Sequence, residues 1–406
     1  FYLYIFNISD YLVGFMANYD LSYSDRLHPS MIIRSFITLL LLYGYLKNKK
    51  SGFKSVNISI SIAIIYLLLL HPMTSWIKYG SWGLIYEFSQ SFKLILFLLL
   101  IDYIMKHKEY FMIRIEKVFI INIVVIILNL YFAYFLKIGN TTMYDDMGFY
   151  KGFLAGNDMS VYNISFFTYL LYHYHYHFKF KSLFYLHLFN FYILGTKAFF
   201  FTIPASLFYL LHNKKIYTRR YLRILAVFGI LIAISGGLFY SQISDIYNSR
   251  IGYHFNRQQA KLNYQGKRYD NTILAPIEDL TTGSRLYTAV KQLSFMNQQH
   301  IVDTAIGIGS AGQKSNFGTM VKMDLVDIYI KYGIFGFVLI YYVIFVIIRA
   351  ILKNKSFDFV SVIILLVFTY STVGGFIMGS ATIGTFYALV LGLNYGTIRF
   401  PVDRFI

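Results

Sequence analysis

Apolar runs of about 17 to 22 residues recur along this chain, and nothing else in the sequence narrows its fold so far. Each run is long enough to cross the hydrocarbon core of a bilayer, about 30 Å, as a helix rising about 1.5 Å per residue. Lipid offers backbone N–H and C=O groups no partner, so runs of this kind must be helices. Composition agrees: 57% of the 406 residues are hydrophobic and only 14% are charged. Mean hydropathy is +0.53. The expected fold class is all-α, a polytopic integral membrane protein. No Pro- or Ser-rich linker divides the chain, so residues 1–406 read as a single transmembrane bundle.

The formal net charge of +18 raises the question of nucleic acid, and the distribution of the charge answers it. Basic residues bunch in short stretches between apolar runs: Lys47, Lys49, Lys50 and Lys54; Lys106, Lys108, Arg114 and Lys117; Lys179 and Lys181. Further groups are Lys214, Lys215, Arg219, Arg220 and Arg223; then Arg349, Lys353 and Lys355; then Arg399 and Arg404. Cytoplasmic loops gather Lys and Arg in this way, so the charges set topology and touch anionic lipid. No nucleic-acid partner is expected. The absence of cysteine excludes disulfides and thiolate metal sites. The chain opens at Phe1 without Met, and some native N-terminal residues are expected to precede it.

With those loops inside, about twelve crossings follow: roughly 1–17, 31–46, 56–71, 84–105, 117–136, 159–177, 183–195, 198–211, 223–240, 325–349, 357–376 and 383–398. Residues 183–211 are split at "GTKA" (195–198), because one continuous helix would set two basic stretches on opposite sides. The split places Lys197 at the mouth of a cavity below the outer surface. Two external loops follow, 137–158 with "YKGFLAGND", and 241–324, the longest polar stretch. Within the second, "QLSFMNQQHIVD" suits short helices. No internal repeat is apparent.

Several polar residues are candidates for chemistry. Arg285 follows "TTGS", a turn suited to start a helix with Thr282 or Ser284 as cap. It is either a solvated loop residue or a phosphate ligand, since guanidinium is a planar fork of permanent charge. Lys151 lies beside glycines and Asn157, where backbone can approach a ligand closely. Lys197 sits between apolar half-helices, where charge points to function unless it snorkels to the interface. Asp324 and Asp327, at i and i+3, share a face where a helix enters the membrane from outside. There they either stabilise the helix dipole or supply a general base. His173, His175 and His177 read as interfacial packing, and "GIGSAG" (307–312) as a tight turn. Lys93 and Lys331 fall inside apolar runs and either face the bundle interior or snorkel.

Taken in order, "YKGFLAGND", "GTKAFF", "TGSRLYTAV…GIGSAG" and "MDLVDIYIKYGIFGF" resemble the O-antigen polymerase and O-antigen ligase superfamily of membrane glycosyltransferases. The resemblance covers roughly residues 149–337. It implies a GT-C-like bundle of about 12 transmembrane helices, with residues 241–324 forming a partly helical loop over the active-site cavity. It implies glycan transfer from undecaprenyl pyrophosphate to a sugar hydroxyl on another lipid-linked repeat unit, with no metal or other cofactor. Lys151, Lys197, Arg285 and Asn157 would bind pyrophosphate, and Asp324 or Asp327 would act as base. Lys322, Met323 and Asp324 stand where ligases carry His, which points to a polymerase rather than a ligase. The implied partners are lipid-linked oligosaccharide as donor and acceptor, membrane lipid, a chain-length regulator and a flippase. The implied location is the bacterial cytoplasmic membrane, with the site facing outward. A polysaccharide flippase is the rival; it would carry repeat symmetry and lack a long external loop.

Overall fold

The computed structural model describes residues 11, 13–16, 29–47, 54–141, 150–154, 156–177, 180–194, 285–318, 321–354, 358–373, 375 and 377–394. Almost all of these are helical. In chain order the helices are α1 (Pro29–Lys47), α2 (Lys54–Ile65), a π-helical turn (Tyr66–Leu70), α3 (His71–Lys106) and α4 (Lys108–Leu136). A two-stranded antiparallel hairpin follows, β1 (Asn140–Thr141) with β2 (Tyr150–Gly152). Then come α5 (Gly156–His177), α6 (Lys181–Leu194), α7 (Arg285–Asn297), α8 (Ile301–Ile306) and α9 (Gly309–Phe317). The chain closes with α10 (Asp324–Asn354), α11 (Phe359–Val373) and α12 (Ala381–Asn394). The chain divides into two compact units, Phe1–Ser206 with Tyr287–Ile406, and Leu207–Leu286. Apart from the opening of α7, the second unit lies outside the described residues.

Among the described residues, three helical runs are long and apolar enough to cross a membrane: Val56–Lys106, Lys108–Leu136 and Asp324–Lys353. Phe359–Thr372 and Thr382–Asn394 are shorter apolar helices. The crossings read at 56–71 and 84–105 fall on either side of the backbone break at Gly80 within the first of these runs. Those at 198–211 and 223–240, and residues 241–284 of the long loop, lie outside the described residues.

What these helices show to the outside is apolar. Ile334, Phe335, Val338, Tyr342, Phe345 and Leu352 form an exposed stripe on α10, and Ile113, Ile121, Leu128, Phe132 and Phe135 one on α4. Meanwhile His71, Glu87, Asp158, Asp324, Asp327 and Lys331 are buried. In water that arrangement would leave the apolar surface solvated and charge desolvated. In lipid the exposed stripes need no cover, and polar groups gather inside the protein.

Two of the long helices are broken, and the breaks match. Gly80 in α3 has φ 67° and ψ −159°, and Gly333 in α10 has φ 61° and ψ −169°. Only glycine adopts this region without strain. Each break lies in the same sequence, "IKYGSWG" (77–83) and "IKYGIFG" (330–336), identical at five of seven positions. In both copies the second glycine leaves room for the tyrosine four residues earlier: a Cβ at Gly83 would collide with Tyr79, and one at Gly336 with Tyr332. The chain therefore does contain a short internal repeat, contrary to the sequence reading. Seven residues are too few to stand out until the shared backbone conformation marks them.

Candidate functional site

A helix break inside a membrane helix strips partners from the carbonyls of the preceding turn, and each must find another. At Gly333 they do. Ile330 C=O accepts from Ile308 N–H at 3.0 Å. Lys331 C=O lies 2.7 Å from His71 Nε2, and Tyr332 C=O accepts from the Tyr66 hydroxyl at 2.8 Å. Tyr66 stands in the π-helical turn, and its hydroxyl also lies 2.5 Å from Ile306 C=O. The segment 301–317 thus rests its backbone on the unwound part of α10. Gly307 permits the contact, because a Cβ there would collide with the Lys331 carbonyl.

A carboxylate closes the other side. Glu87, from α3, accepts Ser310 N–H at 2.7 Å and Ala311 N–H at 3.3 Å through Oε2, so it caps the N-terminus of α9. Its Oε1 lies 3.0 Å from His71 Nδ1, and both side chains are fully buried. A carboxylate at a helix N-terminus meets the positive end of the dipole and the unpaired N–H groups together. "GIGSAG" is therefore no isolated turn: residues 309–313 are buried and open a helix.

Asp324 and Asp327 begin α10, as the sequence indicates, and both are fully buried. Asp324 accepts Ile377 N–H at 3.0 Å and Met378 N–H at 3.2 Å, which pins the connection between α11 and α12. Asp327 accepts Val321 N–H at 3.0 Å, Lys322 N–H at 2.8 Å and the Gln313 amide at 2.8 Å. Gln313 in turn donates to Gln292, so α7, α9 and α10 share one polar network. Lys322 holds φ 62°, a left-handed conformation that turns two successive N–H groups toward Asp327. The geometry gives each carboxylate a backbone-binding task.

Charges converge close to Asp324. Arg34 on α1 donates to Thr382 at the start of α12 at 3.1 Å. Ser380, just before α12, donates to Asp158 in the first turn of α5 at 2.9 Å. Together with the Asp324 bonds, these contacts bring the N-terminal ends of α1, α5, α10 and α12 to one place. Lys93, half-buried on α3, donates to Gln90 at 3.1 Å. Its ammonium stands in the field of Lys331 and Arg34, and, more weakly, of Asp158. Lys331 is 3% exposed, so of the two outcomes open to it, the interior is the one realised.

The remaining site residues named from sequence fall elsewhere. Lys151 is in β2, and its carbonyl accepts from Asn129 of α4 at 3.3 Å, while Asn129 accepts Phe153 N–H at 3.0 Å. The room left by Gly152 is filled by the Asn129 amide, with which a Cβ would collide. Asn157 stands in the first turn of α5. Arg285 is half-buried and opens α7, at the point where the "TTGS" turn predicts a helix start. Lys197 lies outside the described residues.

Sequence reasoning passed over Arg34, Glu87 and His71, and left Asp158 unweighed within "LAGND". A signal for two of them was present, because Arg34 and Glu87 are ionisable residues inside apolar runs, where charge is costly. His71 had none: only its contact with a residue 260 positions away gives it a role. Among the described residues no group of three or more His, Asp or Glu side chains could hold a metal ion. No protein-family model matches the chain, and no curated protein matches it either.

Proposed function

We propose that this protein is a membrane glycan polymerase. It transfers glycan from an undecaprenyl-pyrophosphate carrier to a sugar hydroxyl on a second lipid-linked repeat unit. The observation that carries the reading is the gathering of Arg34, Lys93 and Lys331 where four helix N-termini meet, inside a bundle whose outer surface suits lipid. Cations and helix N-termini both favour concentrated negative charge, and pyrophosphate is the charge that builds up as the glycosyl bond breaks. In an apolar surround such fixed groups stabilise a leaving anion strongly and need no metal. The family resemblance adds Lys151, Lys197, Arg285 and Asn157 to this reading as pyrophosphate ligands.

The attacking hydroxyl must give up its proton to a carboxylate. Asp324 and Asp327 spend their oxygens on backbone N–H groups, so we assign the role to Asp158, which faces a hydroxyl and lies in the field of Lys93. The ends of α1, α3 and α10 that carry Lys47, Lys106 and Lys353 belong inside by the charge rule, which supports an outward-facing cluster in a bacterial cytoplasmic membrane. Ligase-type transfer to another acceptor would use the same groups.

One observation favours a second reading, transport of the lipid-linked glycan. Paired glycine-interrupted helices mark the binding region of many transporters, and "IKYGSWG" and "IKYGIFG" are such a pair. One experiment separates the two. The full chain is reconstituted in liposomes with lipid-linked repeat units, and products are resolved on a gel with and without EDTA. A ladder of polymer in both conditions, abolished by Lys331→Met, supports the polymerase. Repeat units that cross the bilayer but never lengthen would overturn it in favour of transport.

A further inference from the structure

The unwound stretch that carries Lys331 is held by side chains the proposed reaction does not use. His71 faces two acceptors. The Lys331 carbonyl can only accept, so His71 Nε2 carries a proton across the 2.7 Å contact. Nδ1 lies 3.0 Å from Glu87 Oε1. Glu87 continues the chain through Oε2 to Ser310 N–H, Ala311 N–H and, at 3.4 Å, the Ser75 hydroxyl. His71 also packs against Tyr332 at 4.7 Å between ring centroids, and against Tyr66 at 5.7 Å. An unbroken line of polar contacts therefore runs from the Lys331 backbone through His71 and Glu87 to the start of α9.

We infer that His71, oriented by Glu87, is a positioning residue for Lys331: it fixes the unwound backbone from which the ammonium enters the cationic cluster. Other candidates for that task are weaker. Tyr66 grips the next carbonyl and Ile308 the previous one, whereas His71 bonds the lysine's own carbonyl. The break at Gly333 makes such a hold necessary, because a residue beside an interrupted helix has lost the regular ladder that would otherwise set its direction. In a buried polar chain of this kind each member fixes its neighbour, and here the imidazole and the carboxylate face one another at 3.0 Å. The inference rests on the anion site proposed above.

Substitution chemistry gives a direct test on the purified full chain in nanodiscs, with inorganic pyrophosphate as the probe. The side-chain amide nitrogen of glutamine can stand where His71 Nε2 stands, so the double variant His71→Gln with Glu87→Gln keeps a donor to the Lys331 carbonyl and an acceptor for the α9 N–H groups. His71→Phe keeps ring packing and loses the donor. The expected result is at least tenfold weaker pyrophosphate binding by His71→Phe, and binding within about threefold of the parent for the double glutamine variant. In the same samples, amide exchange should quicken over 305–313 and 330–336 in His71→Phe while α4 and α12 keep their protection. Parent-like affinity and exchange in His71→Phe would overturn the inference, as would equal loss of affinity in both variants. A parent chain that fails to bind pyrophosphate tells instead against the anion site, while the exchange data still judge the hold itself.

Discussion

At the scale of single residues, hydrogen-bond partners separate carboxylates that bind distant backbone from one that faces a hydroxyl. Asp324 takes two backbone N–H groups with no solvent to replace them, and hydrogen bonds to a charged group are worth about 1.5–3 kcal/mol each. Asp324→Asn keeps one acceptor and turns an NH2 group toward a backbone N–H. It should cost about 3 kcal/mol of stability, read as a lowered unfolding midpoint in detergent. Asp158→Asn should leave that midpoint near the parent's and slow polymer formation by about 10²- to 10⁴-fold, the usual weight of a general base. A fully active Asp158→Asn would remove the assignment. Arg285→Ala should lose about 2–4 kcal/mol of transition-state stabilisation, by analogy with loss of a single oxyanion donor. Arg285→Lys should restore only part of it, since a point charge does not reproduce a bidentate fork. Turnover of both variants, each shown to insert normally, decides whether Arg285 grips phosphate or is an ordinary helix-start residue.

At the scale of elements, the two matched breaks differ in what surrounds them, and that difference is measurable. Both glycines adopt a conformation closed to other residues, at a cost of about 1–3 kcal/mol for a substituent forced into it. At Gly80 an added Cβ meets open space, so Gly80→Ala should cost that strain and little more. At Gly333 the Cβ would run into the Ala305 carbonyl and the Gly307 amide, so Gly333→Ala also pushes away the segment that satisfies the Ile330 carbonyl. Unfolding midpoints and polymer assays on the two variants should rank Gly333→Ala as clearly the more damaging; equal effects would mean that 301–317 is not built onto the break. The sequence makes the start of α10 legible, because "KMD" gives way abruptly to an apolar run. It hides the break within that run, since hydropathy is continuous across "YGIFGF".

At the scale of the whole molecule, the positions of the lysines and of the buried charges predict opposite sides. Lys353 closes α10, whereas Ser315 lies exposed on α9, in the segment docked at the other end of that helix. These 406 residues include no cysteine, so single substitutions report cleanly. Ser315→Cys should react with an impermeant thiol reagent in intact cells, and Lys353→Cys only after the membrane is opened. The reverse pattern would invert the topology and move the cationic cluster to the cytoplasmic side, away from any external substrate.

Helical class, membrane residence and the helix starts at Arg285 and Asp324 are decided locally, and the sequence by itself determines them. Run length, charge placement and turn chemistry need no knowledge of what lies across the bundle. The site is another matter. Arg34 meets Thr382 across 348 positions, His71 meets Lys331 across 260, and Glu87 meets Ser310 across 223. In an apolar chain such polar groups have few permitted partners, yet which of them pair depends on how helices stack and where two of them break. Only the tertiary structure turns "GIGSAG" from a glycine-rich turn into a helix capped by Glu87. Only it makes Asp324 and Asp327 anchors for distant backbone, because the N–H groups they bind come from segments that folding alone brings to them.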